Sequence, residues 1–127
     1  MAEMDSDFIA VSYKLDESGL VWHPEIGDEV LTRGDEPRIS ILVDPQGLTP
    51  TELRQTFVWM PTVEQMVVQI EAREGILYHA GISESLKYEA IIKTATGLIE
   101  ASAVTLRTAF GKALSSLLCN RVCGELH

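Results

Sequence analysis

Apolar residues recur at helical spacing in two stretches of the chain. Val63, Met66, Val67 and Ile70 fall three, four and seven positions apart. Leu106, Phe110, Ala113, Leu114, Leu117 and Leu118 form a second such stripe. Spacing of this kind gathers apolar side chains on one side of a helix. Between the stripes lie three β-rich segments, residues 76–80, 86–93 and 98–102. They are separated by Gly81 to Ser85 and by Thr94-Ala-Thr-Gly97, which are turn compositions. Residues 61–118 therefore predict an α-β-β-β-α unit. Layers that are apolar on one side must bury that side against each other. Gly111, inside the last helix, predicts close packing of that helix against the sheet.

The first half predicts mostly strands. Residues 8–15, Phe-Ile-Ala-Val-Ser-Tyr-Lys-Leu, are rich in β-formers. Residues 20–22 follow a turn and predict a returning arm that His23-Pro24 ends, because proline donates nothing to a ladder. Residues 28–32 and 38–44 predict two more strands. In the latter, Ile39, Ile41 and Val43 alternate with Ser40 and Leu42, so one face is strongly apolar. Two helix starts are written in local chemistry. Thr49-Pro50-Thr51-Glu52 and Thr62-Val-Glu-Gln65 both read as capping boxes. The first adds proline at the first helical position and a Leu48–Leu53 staple, and predicts a helix over 50–56. Val-Trp-x-Pro occurs at both Val21 and Val58, but different elements follow the two copies, so it is not a repeat.

The resulting fold class is α+β. Its sheet is mainly antiparallel, with two helices in the α-β-β-β-α unit and a β-rich N-terminal half before it. The expected organisation is one domain over 1–127. It comprises a loose tail at 1–7, an acidic β-rich half at 8–60, the α-β-β-β-α half at 61–118 and a C-terminal tail at 119–127.

Length and composition fit one ordinary domain: 127 residues, 46% of them hydrophobic. No apolar run reaches the ~18 residues of a membrane span. The acidic N-terminus has the wrong sign for a secretory signal, so the expected location is cytoplasmic. The net charge of −9 is unevenly placed. Residues 1–60 hold 4 basic and 12 acidic side chains, a net of −8, whereas 61–127 hold 6 and 7. Such a chain repels phosphate backbones, which disfavours nucleic-acid binding.

Reactive groups are sparse. His23 lies beside Trp22, Glu25 and Asp28. A histidine among carboxylates can serve as general base or metal ligand. The spacing matches no metal motif, and a solvated acidic loop is the plainer reading. These four residues are nonetheless the first place to look for a binding site. Cys119, Cys123 and His127 are spaced four apart, a possible three-ligand zinc stripe. The alternative is a tail that frays from Gly124, with Cys119 and Cys123 as two incidental reduced thiols. Trp22 and Trp59 read as core or core-edge anchors. No nucleophile triad and no glycine-rich phosphate loop occurs. No catalytic residue and no cofactor is expected.

The frame Tyr88-Glu-Ala-Ile-Ile-Lys, Gly97-Leu-Ile-Glu-Ala, Thr105-Leu-Arg and Ala113-Leu supports three resemblances. With Trp59-Met-Pro61 before the first helix, residues 61–118 resemble the phage-type α-β-β-β-α sandwich domain. The same order is similar to the double-stranded-RNA-binding domain. That family's RNA contacts would fall at the start of the last helix, where this chain has one basic residue, Arg107. Residues 88–118 also look like HicB-type antitoxins, which implies a basic ribonuclease toxin as partner. Three functions are thus expected in order. The first is a non-enzymatic binding or assembly module, phage-related by resemblance, pairing with itself through an exposed strand at 38–44 or 98–102. The second is an antitoxin-like inhibitor that masks a basic partner. The third is a small metal-dependent enzyme centred on His23 with Glu25, Asp28 or Asp44.

Overall fold

A computed structural model describes residues 2–125 of the protein, and side chains from 6 to 119. The elements run α1 (Ala2–Glu17), β1 (Glu29–Thr32), β2 (Ile39–Ile41), α2 (Pro50–Thr56), β3 (Phe57–Trp59), α3 (Val63–Ala72), β4 (Ile76–Ile82), β5 (Tyr88–Thr94), β6 (Gly97–Ala103) and α4 (Leu106–Glu125). The fold is α+β with two three-stranded antiparallel sheets, ordered β2-β1-β3 and β4-β5-β6.

The α-β-β-β-α unit stands as the apolar spacing predicts. Met66 and Ile70 of α3 are buried, as are Phe110, Ala113, Leu114, Leu117 and Leu118 of α4. α4 lies across β5 and β6 and covers Ala90, Ile92, Ile99 and Ala103 in one core cluster. Both predicted capping boxes are formed. The Thr49 and Thr62 hydroxyls accept from the N–H groups of Glu52 and Gln65, and those side chains reach back to the cap N–H groups.

α3 ends in a left-handed turn just ahead of Gly75. The left-handed residue is Glu74, at φ 63°. Gly75 donates to the Ile70 carbonyl. A β-carbon at Gly75 would stand 3.0 Å from Cγ2 of both Ile70 and Ile92, so here glycine provides room.

The first half departs further. Residues 8–15 are not a strand but part of α1, which begins at Ala2 and so also replaces the expected loose tail. Phe8, Val11 and Leu15 are buried and spaced three, four and seven apart. Helical spacing outweighed β-rich composition because α1 finds α4 to pack on. The contact is close. A β-carbon at Gly111 would collide with Val11 Cγ1, so this glycine admits α1 rather than the sheet. Leu20–Trp22 do not pair as a hairpin arm. Residues 57–59, between the two predicted helix starts, form β3 and pair with β1. α4 also continues through Gly124 to Glu125 where a tail was expected.

β1 is buried on both faces. Leu31 joins the main core with Val58, whereas Val30 joins Trp22, Leu42 and Leu53. Arg107 at the start of α4 ties the halves together. Its guanidinium donates to the carbonyls of Met60 (2.6 Å) and Pro61 (2.9 Å). It also pairs with Glu29 at 2.6 Å and lies over the Phe8 ring at 4.2 Å.

Candidate functional site

The loop at 20–28 is organised by Asp28. Gly27 turns the chain at φ 99°, and the buried Asp28 carboxylate then takes three donors. Oδ2 accepts from the Trp22 indole N–H at 2.9 Å and the Glu25 backbone N–H at 3.0 Å. Oδ1 accepts from Gln65 Nε2 at 3.0 Å. The Gln65 carbonyl oxygen meanwhile caps α3. Asp28 thus joins the loop to the start of α3 across 37 positions of sequence. A carboxylate so engaged serves structure, since three of its about four lone-pair sites are filled.

Trp22 is buried against Val30, Leu42 and Leu53. His23 and Glu25 are exposed. With Asp28, Trp59 and Gln65 they border a groove of about 190 Å³. The four residues singled out in the sequence therefore do lie together, but Trp22 and Asp28 form the support and His23 and Glu25 the rim. Among the described residues, no three of His, Cys, Asp and Glu stand together as metal ligands. Cys119 is an exposed position of α4. The Cys123 side chain and His127 lie outside the described residues, and with them the proposed zinc stripe.

Arg107, the one basic residue where an RNA-binding helix would begin, is turned inward onto Glu29 and two carbonyls. A guanidinium held this way is not presented to a phosphate backbone.

The sheet edges carry a feature that strand propensity alone did not reveal. β2 lies within the segment 38–44 and β6 spans the segment 98–102; both were expected as edges, and both are edge strands. Three of the four edges are blunted. β4 has a bulge between Leu77 and His79. β6 receives Lys112 Nζ on the Ser102 carbonyl at 3.4 Å. β3 is flanked by α1 and α2. β2 has no such cover among the described residues. Ile39, Ile41 and Val43 are 41%, 49% and 72% exposed, while Leu42 between them is 5% exposed. The alternation expected in this strand is present, with its richer apolar face outward.

No protein-family model, curated protein or solved structure matches this chain. No helix among the described residues is long and apolar enough to cross a membrane.

Proposed function

We propose that this protein is a non-enzymatic assembly module that pairs with a second copy of itself through the open edge of β2. The exposed apolar row of Ile39, Ile41 and Val43 carries the reading. Thr32 donates to the Arg38 carbonyl and Leu42 donates to the Asp28 carbonyl. The even-numbered residues of this strand therefore bond inward to β1. By antiparallel alternation, the backbone groups of residues 39, 41 and 43 point to the free edge. Ile39 lies opposite Leu31 in the register, on the face that Leu31 and Val58 bury, so a pairing strand would extend the main core.

The order of residues selects the partner. An antiparallel copy centred on Ile41 sets Arg38 opposite Asp44, Ile39 opposite Val43 and Ile41 opposite itself. Opposite charges then bracket an apolar centre, the arrangement that stabilises cross-strand pairs, and the interface has the two-fold form of most homodimers. Strand addition of this kind is a common recognition mode. The expected setting is cytoplasmic.

Light scattering coupled to size exclusion tests this proposal. A dimer is expected, and Ile41→Lys is expected to give a monomer. Arg38→Asp alone should weaken pairing, and the double swap Arg38→Asp with Asp44→Arg should restore it. A monomer at every concentration would sink the proposal. The exposed acids Asp35, Glu36 and Asp44 beside the edge support a second reading, an inhibitor that masks a basic protein. That complex would dissolve as salt rises.

A further inference from the structure

A second site lies away from the β2 edge, in a cleft of about 340 Å³ between α1, the 19–22 segment, α2 and β3. We infer that this cleft binds a small organic anion, a carboxylate on a compact apolar or aromatic body, through the guanidinium of Arg54.

The walls are apolar. Leu15, Leu20, Trp22, Phe57 and Trp59 all border the cleft, and Leu15, Leu20 and Trp22 are buried. The polar side chains are few, namely Ser12, Asp16 and Arg54, and the Ser12 hydroxyl donates to the Phe8 carbonyl. Arg54 Nε donates to the Trp22 carbonyl at 2.6 Å. That bond fixes the plane of the guanidinium and leaves both terminal nitrogens without an acceptor among the described residues. A planar fork with two unfilled donors matches the two oxygens of a carboxylate.

Asp16 also borders the cleft and would oppose an anion if left bare. Both of its oxygens instead meet Arg33 NH2, at 3.1 and 3.2 Å. Arg33 Nε in turn donates to the Arg54 carbonyl at 3.1 Å. The acid is thereby neutralised by a second arginine, and the balance of the cleft is positive in a chain of net charge −9. Trp59, which borders both this cleft and the groove beside His23, carries an indole N–H that is buried with no hydrogen-bond partner among the described residues. Buried donors of this kind are rare in folded proteins and call for an explanation. An apolar pocket with a few placed polar groups is the usual form of a small-molecule site.

Both tryptophans of the chain border this cleft, so binding has a direct optical readout. The experiment titrates the full-length protein with benzoate, and separately with benzyl alcohol as a neutral probe of similar shape, following tryptophan fluorescence. Saturable change with benzoate is expected, with a dissociation constant on the order of 1 mM for a ligand of about ten heavy atoms. Benzyl alcohol should bind about tenfold more weakly or worse. Arg54→Gln should weaken benzoate binding by about tenfold to a hundredfold and leave benzyl alcohol unchanged.

The two indole N–H resonances of the unaltered protein provide a test independent of any variant. Benzoate should shift the Trp59 signal, and the shift should saturate with the fluorescence change. Unmoved indole signals, equal affinity for the two probes, or full benzoate binding by a folded Arg54→Gln protein would each overturn the assignment.

Discussion

The two sheets of this molecule are alike in strand number and antiparallel pairing and unlike in support. β4, β5 and β6 are each 7 residues long; β5 and β6 pack on α4, and β4 packs on α3. The strands β1, β2 and β3 are 4, 3 and 3 residues long. Such short ladders contribute little by themselves. The first-half sheet persists because β1 is buried on both faces, and because single polar side chains fasten it from outside: Asp28 to Trp22 and Gln65, Arg107 to Glu29, and Arg54 to the Trp22 carbonyl. One sheet is held by area and the other by fastenings. The open apolar edge and the proposed anion cleft both lie in the second kind of structure. Recognition sites are drawn from regions where the chain's own packing is incomplete.

The largest expected effect tests the area-held sheet. Ile92 is fully buried under α4, and Ile92→Ala should cost about 3–4 kcal/mol by deletion of buried carbon and the cavity it leaves. Leu42→Ala at the rim of the smaller cluster should cost less, about 2 kcal/mol. Urea unfolding of both variants makes the measurement, and equal losses would break the contrast between the sheets.

Next is the fastening that joins them. Arg107→Ala removes a half-buried ion pair and two charge-assisted bonds to carbonyls and leaves Glu29 unpaired. The expected loss is about 2–3 kcal/mol. If fastening rather than area supports the first sheet, amide exchange in β1 and β3 should rise more than in β5. Uniform acceleration across both sheets would show that Arg107 supports the whole fold evenly.

The smallest expected effect concerns pH. The Thr49 backbone N–H, and then its hydroxyl, hold the Glu52 carboxyl below its usual value of 4.5. A lowered value in the folded state means that the charged form caps α2. This contribution is present above 4.5 and fades as pH falls through the lowered value. Glu52→Gln should therefore flatten a slight acid-side decline in stability, with the change confined to α2 and β3. Identical acid profiles for the two proteins would remove the cap from the account.

Local chemistry made part of this architecture legible. The starts of α2 and α3 are written in contiguous residues, Thr49 to Glu52 and Thr62 to Gln65, and both formed as spelled. The α4 stripe and the three long strands were equally readable, since their burial follows period alone. Misreadings occurred where distant partners decide. Phe8 to Leu15 is β-rich in composition, and only its 8, 11, 15 spacing hinted at the helix that α4 and Gly111 receive. Phe57-Val-Trp is too short to announce itself as a strand without β1 beside it. At the candidate site, the sequence singled out Trp22, His23, Glu25 and Asp28, which do lie together. Their division into support and rim depends on Gln65, 37 positions away, and no local signal encodes it. Arg54 was missed as well, because its role follows from the cleft that α1 closes. The helical spacing of residues 8–15 was the available clue to that cleft.

The charge order along residues 38–44 limits what β2 can build. A ribbon with a positive start, an aliphatic middle and a negative finish is satisfied by its own reverse, and satisfying it uses up the seat. If β2 pairs as proposed, growth stops at two molecules, and raising the concentration should fill pairs without seeding fibres.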